Sequence, residues 1–154
     1  PKPSSAASDV YKRQAYDLAK GISSKRLMTE HISDKYLYPL GRFLLGLYFL
    51  LPGLAKVFLF QENLEVVIER EVPFPSFSLS LMAVVQIFFG LMLMFGKLVH
   101  TGSIVLVIAT LLINFYIHDF WNMSEDPDQA HETQNFVKNL GIMAGLLILS
   151  KKSE

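Results

Sequence analysis

The chain has 154 residues, of which 51% are hydrophobic and 18% charged, and its formal net charge is zero. A soluble domain normally carries about 25% charged residues, and a general nucleic-acid binder carries excess positive charge. The composition therefore argues against both classes. The absence of cysteine also excludes disulfides, thiol redox chemistry and thiolate metal sites.

The N-terminal residues contain no apolar run of the kind that a secretory signal needs. We expect residues 1–24 to be disordered or a non-native leader. Residues 25–39 predict a juxtamembrane amphipathic helix lying on the membrane surface. Its apolar residues recur on one helical face: Leu27, Met28, Ile32 and Tyr36. The same spacing recurs after the first apolar stretch: Leu64, Val67, Ile68 and Val72.

Four stretches are long and apolar enough to cross a bilayer, which takes roughly 20 mostly apolar residues. They are residues 40–60, 77–95, 98–117 and 134–150, within a membrane domain over 40–150. A soluble bundle needs a charged face on every helix, whereas the second and third stretches contain no Asp, Glu, Lys or Arg. The predicted fold class is all-α, an integral membrane four-helix bundle with short amphipathic interfacial helices.

Lysine and arginine concentrate before the first span, at Lys97 between the second and third spans, and in the tail 151–154. The other two loops are acidic. Because positively charged loops stay on the cytoplasmic side, we expect both termini and the tail to be cytoplasmic.

Polar and small residues recur within each span at intervals of three, four or seven, so each set lies on one helical face. The sets are Arg42, Gly46, Phe49, Gly53 and Lys56; Ala83, Gln86, Gly90 and Lys97; His100, Ser103, Thr110, Asn114, His118 and Trp121; and Gln134, Lys138, Gly141 and Gly145. Small residues let membrane helices approach closely, and polar residues turn away from lipid. The sets predict a compact bundle with a polar seam.

Most ionisable groups of this seam fall in its outer third. The candidate ligand-binding residues are Lys56, Gln86, Asn114, His118, Lys138 and Asn139. The lysines could instead reach lipid headgroups, and Gln86 could bond to a neighbouring helix. Asn114 and His118 share a face and could form an interhelical hydrogen bond, a proton relay or donors to a quinone carbonyl.

Arg42 and Trp121 are typical of lipid-headgroup anchors. Pro52-Gly53 predicts a kink, which either serves packing or opens room for a ligand beside Lys56. We predict no metal site, because the spacing of the nearby histidines and acids matches no tight metal motif. No nucleotide fingerprint or catalytic triad is present, so the catalytic residues, if any, are unknown.

Several motifs resemble those of the DoxX family of small four-span membrane proteins, over residues 39–150. They are Gly41-Arg42-Phe43-Leu44-Leu45-Gly46, Gly53-Leu54-Ala55-Lys56, Val72-Pro73-Phe74-Pro75, Gln86 to Gly90 with Gly96, His118-Asp119-Phe120-Trp121 and Phe136-Val137-Lys138-Asn139-Leu140-Gly141. The sequence departs from the resemblance at Gln86, where many similar proteins carry glutamate. A neutral amide cannot act there as an intramembrane acid or base.

The resemblance implies a protein of the bacterial inner membrane, and some relatives are linked to membrane oxidoreductase complexes, including thiosulfate oxidation coupled to quinone. We therefore hypothesise an accessory membrane subunit of a redox complex, with a quinone or a small anion as the ligand in the outer seam. Its expected partners are the lipid bilayer and an oxidoreductase subunit, with a homo-oligomer left open. The alternatives are a non-catalytic assembly or scaffold subunit and a small-solute carrier.

Overall fold

The computed structural model describes residues 5–124 and 127–151, with side chains from residue 9 onward. Six α-helices follow one another: α1 (Ser5–Ile32), α2 (Tyr38–Phe58), α3 (Phe60–Glu69), α4 (Pro75–Phe95), α5 (Val99–Tyr116) and α6 (Gln129–Leu149). A π-helical turn at Ser33–Leu37 precedes α2, and a 3-10 turn at Phe120–Asn122 follows α5. The chain divides into two compact units, Pro1–Leu40 and Gly41–Glu154.

The first unit consists of α1, the π-helical turn and the first residues of α2. Where the sequence predicts a disordered or non-native leader, the described residues from Ser5 onward are helical. Every side chain described in α1 is exposed. Residues 1–4 of the predicted leader and residues 152–154 of the predicted tail lie outside the described residues.

Among the described residues, three stretches of helix are long and apolar enough to cross a membrane. One lies within Asp9–Phe58, and the others are Pro75–Phe95 and Val99–Asn122. They overlap the first three predicted spans, which differ from them by one to a few residues at the ends near Phe58, Pro75, Val99 and Asn122. The chain is therefore a helical, multi-pass membrane protein. Helix α6 has the same length as α4 but carries polar residues through its first half, which keeps it outside this group.

Four helices of the second unit pack in the closed order α2–α4–α5–α6. A Cβ on Gly90 would lie only 2.9 Å from the carbonyl oxygen of Gly46, so α2 and α4 touch through their backbones. On α5, Gly102 faces a phenylalanine ring of α4. Leu45 of α2 lies 3.7 Å from the Cβ position of Gly145 on α6. Glycine permits these close approaches because it has no side chain to separate the helices.

The bundle has two different ends. At the basic end α2 and α5 begin, and α4 and α6 finish. An apolar core lies toward this end: Phe49, Leu93, Leu106, Leu146 and Leu149. At the acidic end α2 and α5 finish, α4 and α6 begin, and α3 packs against α4. The Lys56 cavity and the His118–Glu132 pair described below lie toward the acidic end.

The prediction of inward-facing sets is confirmed for most members of the first three sets, whereas Lys97, His100 and Trp121 of those sets are exposed. Their buried members are Gly46, Phe49 and Gly53; Ala83, Gln86 and Gly90; and Ser103, Thr110 and Asn114. The fourth set is wrong. Gln134, Lys138 and Gly141 are exposed, and α6 instead buries Asn139, Met143, Leu146 and Leu149. A Cβ on Gly141 would meet nothing within 4 Å, so that glycine brings no described helix closer.

Candidate functional site

A hydrogen-bonded network of amides joins three helices inside the bundle. Asn139 Nδ2 of α6 donates to Asn114 Oδ1 of α5 at 2.7 Å, and the Tyr48 hydroxyl of α2 donates to Asn139 Oδ1 at 2.9 Å. Asn114 Nδ2 donates at 3.3 Å to the carbonyl of Phe136 on α6. Both asparagines are buried. The network therefore acts first as a link between helices, because each amide bonds to another helix of the bundle.

Gln86 lies in a separate place, at the contact between α4 and α2. It is 2% exposed, and its Cβ lies 3.0 Å from the Cβ position of Gly53. Its Oε1 is buried and has no hydrogen-bond partner among the described residues. The structure thus does not bring Gln86 into the amide network.

A cavity of about 280 Å³ opens at the acidic end, and Lys56 lies in its wall. Helix α3 and the loop after it form one side of the cavity, and α4 and α5 form the other sides. The apolar walls include Val67, Val72, Leu79, Met82, Leu112 and Ile113. Lys56 is the one charged side chain among the lining residues, all of which the structure describes. Ligand sites typically have apolar walls and few polar groups.

The Lys56 side chain turns back along its own helix. Its Nζ lies 3.4 Å from the carbonyl oxygen of Pro52, one turn deeper in the bundle. A lysine that reaches lipid headgroups extends in the opposite direction, toward the helix end. The half-buried ammonium therefore stays beside the cavity, and it has hydrogen-bond donors to offer besides the one directed at Pro52.

An ion pair fixes the wall of the cavity that α3 contributes. Arg70, at the C-terminal cap of α3, donates from Nη1 to Asp119 Oδ1 at 3.0 Å, and the same atom lies 3.4 Å from Met123 Sδ. Asn122 Nδ2 donates to the other oxygen of Asp119 at 2.9 Å. Because Arg70 lies between Val67 and Val72, this pair holds the α3 wall against the segment after α5.

The loop that completes this wall has an unusual backbone. Glu71 and Phe74 have φ values of 51° and 49°, in the left-handed region that non-glycine residues rarely adopt. The Ser78 hydroxyl donates to the carbonyl of Pro73 at 2.6 Å, which supports the turn into α4. The predicted amphipathic helix ends at Glu69, before Val72. Val67 and Val72 line the cavity, whereas Ile68 of the predicted apolar face is exposed.

His118 and Lys138 lie apart from the cavity. His118 Nδ1 hydrogen-bonds to Glu132 Oε2, which joins the segment after α5 to the first turns of α6. Asn135 Nδ2 donates weakly to the same carboxylate oxygen at 3.4 Å. Lys138 is exposed and directs its Nζ to Asn135 Oδ1 at 3.4 Å. The six predicted site residues therefore do not form one site: only Asn114 and Asn139 bond to each other.

The two predicted headgroup anchors have protein contacts. The Arg42 guanidinium occupies the space beside Gly96, at the C-terminal end of α4, where the helix dipole favours a cation. Trp121 packs edge-on against three phenylalanine rings from α5, the 3-10 turn and α6: Phe115, Phe120 and Phe136. It keeps 44% of its surface exposed, as an interfacial aromatic does.

Tyr48 and Arg70 have a structural part in this region and were missed from the sequence, whereas Asp119 and Glu132 were weighed only as metal ligands. Tyr48 gave a usable signal, because a tyrosine hydroxyl inside a membrane helix needs a hydrogen-bond partner. The charged residues are far apart in sequence, at the end of α3, after α5 and in the first turn of α6, so their contacts depend on the fold. Within the part of the chain that the structure describes, no cluster of three or more His, Asp or Glu side chains is placed to hold a metal ion.

Comparison with known proteins agrees with the resemblance in the sequence. The model of the DoxX family matches residues 38–119, more than half of the chain. No curated protein and no solved structure matches. The matched segment runs from the first residue of α2 to Asp119 and includes Lys56 and every lining residue of the cavity. The chain belongs to the DoxX family.

Proposed function

We propose that this protein is an accessory membrane subunit of a redox complex and that it holds a lipid-soluble quinone in the Lys56 cavity. The observation that supports the proposal is a cavity with apolar walls and a single ammonium group. A quinone presents an apolar ring and tail together with carbonyl oxygens that accept hydrogen bonds. The Lys56 ammonium would donate to one carbonyl, and the walls from α3, α4 and α5 would enclose the ring.

The proposal includes a fourth span. Helix α6 runs beside α5 and is joined to it at the Asn114–Asn139 bond and again at the His118–Glu132 pair. At 1.5 Å per residue, its 21 residues reach about 30 Å, the thickness of the hydrocarbon core. In the polar first half of α6, Glu132 and Asn139 bond to α5 and the segment after it, whereas Gln134 and Lys138 are exposed. We therefore propose four spans in the inner membrane, with both termini cytoplasmic.

The natural absence of cysteine makes this topology easy to test. Single cysteines at Glu62 in α3 and at Lys97 between α4 and α5 would be labelled in intact cells with a membrane-impermeant maleimide. We expect Glu62→Cys to react from outside and Lys97→Cys to react only after the cells are opened. Reaction of both from the same side would contradict the proposed topology.

Electrons would reach the quinone from a partner subunit, since the sequence shows no strong flavin, haem or cluster motif. The chain's own contribution is to bind and orient the ligand and to keep it away from water. Gln86 has no titratable group, so this position takes no part in proton transfer.

The test is binding of a short-chain quinone analogue to the full-length protein in nanodiscs. We expect saturable binding that weakens about tenfold in Lys56→Ala, which removes the donor to the carbonyl. Lys97→Ala is the matched control, since it removes an exposed lysine at the basic end. Mass spectrometry after gentle purification should also find quinone and an oxidoreductase subunit. Absence of both quinone binding and a redox partner would refute the proposal.

The amide network supports one alternative, a non-catalytic assembly subunit. Tyr48, Asn114 and Asn139 all bond within the bundle, as expected when a polar seam serves helix packing. On this alternative a stable partner would co-purify, and the activity of the complex would be insensitive to Lys56→Ala.

A further inference from the structure

The Lys56 cavity also has the features of a site for an anionic ligand. We propose that it binds a long-chain carboxylate, a free fatty acid, with the carboxylate paired to the Lys56 ammonium and the alkyl chain along the apolar walls. The inference uses the same cavity as the proposed function, and it makes fatty acids competitors of the quinone.

The first argument for an anionic ligand is the charge around the cavity. Lys56 is the only charged side chain among the lining residues, each of which the structure describes. The acids of the neighbouring α3 wall are directed elsewhere: Asp119 is paired with Arg70, and Glu69 and Glu71 are exposed. A neutral carbonyl would accept a hydrogen bond from Lys56 but would leave the ammonium charge without a counter-charge among the apolar walls. A carboxylate supplies both a stronger hydrogen bond and the neutralising charge.

The second argument, for a fatty acid and against a phospholipid, is the position of the ammonium. Lys56 Nζ is directed at the Pro52 carbonyl, one turn deeper than its own Cα. The phosphate of a phospholipid is fixed at headgroup level by its glycerol and two chains. A fatty acid has a small, bare head on one chain, so its carboxylate can move to the depth of the ammonium.

The third argument, for a single alkyl chain, is the size of the cavity and the position of its opening. A volume of about 280 Å³ holds roughly nine groups the size of a water molecule or a methylene, at about 30 Å³ each. That is enough for the head and the first carbons of one chain. Phe74 and Phe77 line the cavity and are 81% and 67% exposed. The rest of a longer chain would leave past these rings into the bilayer.

The experiment measures binding of radiolabelled palmitate to the full-length protein in phosphatidylcholine nanodiscs. We expect saturable binding, weakened tenfold or more in Lys56→Gln, which corresponds to about 1.4 kcal/mol. Lys97→Gln should bind as wild type does. Lys56→Arg keeps the charge and should retain most of the binding. That result would show that the loss in Lys56→Gln reflects missing charge and not misfolding.

Two competitors identify the head group. Unlabelled palmitate should displace the label, whereas hexadecanol, which has the same chain without the charge, should need at least tenfold more. Equal competition by hexadecanol, or unchanged binding in Lys56→Gln, would overturn the inference. So would stronger displacement by phosphatidylglycerol, because the ligand would then be an anionic phospholipid.

A quinone analogue in the same assay separates the two proposals. If palmitate binds through Lys56 and the quinone does not, the inference stands and the proposed function fails. If the quinone binds and palmitate does not, the proposed function stands and this inference is wrong. If both bind and displace each other, both are supported.

Discussion

Replacing Asn139 with leucine tests whether the amide network holds α2, α5 and α6 together. The change removes two hydrogen bonds, from the Tyr48 hydroxyl at 2.9 Å and to Asn114 Oδ1 at 2.7 Å. Side-chain hydrogen bonds between membrane helices contribute about 0.6 kcal/mol on average and at most about 1.7 kcal/mol. We therefore expect Asn139→Leu to lower the free energy of unfolding by about 1.2 kcal/mol, and by no more than about 3.4 kcal/mol. Tyr48→Phe removes one bond and should cost about half as much.

The chain offers a convenient assay for this stability. Its single tryptophan, Trp121, packs against Phe136 on α6 and Phe115 on α5. Its fluorescence should therefore report the separation of these two helices as sodium dodecyl sulfate is added to mixed micelles. Gln134→Leu is the matched control, because Gln134 is an exposed amide on the same helix.

A double-mutant cycle makes the argument refutable. Asn114→Leu leaves the Asn139 amide without its partner, and Asn139→Leu leaves Asn114 Oδ1 unpaired. The double variant replaces both partners with apolar side chains, so it should cost less than the sum of the single changes. Strictly additive effects would show that Asn114 and Asn139 are not coupled. An Asn139→Leu protein that unfolds at the same detergent fraction as wild type would show that the Asn139 bonds contribute nothing to stability.

Two further changes test the α3 wall and the contact between α2 and α4. Arg70→Gln breaks a pair whose side chains are 22% and 18% exposed. It should lower the local stability of α3 by about 1 kcal/mol, seen as about fivefold faster amide hydrogen exchange there; unchanged exchange would contradict the role of the pair. Gly90→Leu forces a side chain against the Gly46 backbone and should destabilise the bundle by about 1–3 kcal/mol in the detergent assay. Gly141→Leu, which fills open space, should change stability by less than about 0.5 kcal/mol, and equal losses from both would contradict the packing argument.

The sequence predicted the first three membrane helices well because their signal is local. Length and apolar composition alone identify α4 and α5, and the spacing of small and polar residues shows which face is buried. The predicted span 77–95 and the observed Pro75–Phe95 differ only at the start. Pro75 occupies the first turn of the helix, where a missing N–H costs nothing.

The face of α6 could not be chosen from the sequence, because polar residues occur on more than one side of its first half. Gln134, Lys138 and Gly141 form one regular row, and Asn135, Asn139 and Ile142 form another, displaced by a single residue. The structure buries Asn139 of the second row. Which row is buried depends on which one meets Asn114 of α5. Asn114 and Asn139 are 25 positions apart in the sequence.

The sequence left open whether room for a ligand exists beside Lys56, and it gave no sign of the walls that form the cavity. A ligand site beside Lys56 requires α3 to fold back against α4 and the loop at Val72–Phe74 to close one side. The Arg70–Asp119 pair that holds this wall joins residues 49 positions apart. Both are ordinary loop charges when seen in sequence alone.

Gln86 and Lys56 become related once the packing is known. Gln86 faces Gly53 across the contact between α2 and α4, and Lys56 follows Gly53 by three residues, on the same face of α2. One helical turn rises about 5.4 Å, and the Lys56 side chain turns back toward Pro52. A carboxylate at position 86, as the family resemblance leads us to expect, would therefore lie on the side toward which the ammonium turns. It would attract the ammonium into the helix contact and away from the cavity. The neutral amide of Gln86 leaves the Lys56 charge available to a ligand, so Gln86→Glu should weaken palmitate binding in the nanodisc assay about as much as Lys56→Gln does. Unchanged binding would mean that Lys56 is held beside the cavity independently of the charge at position 86.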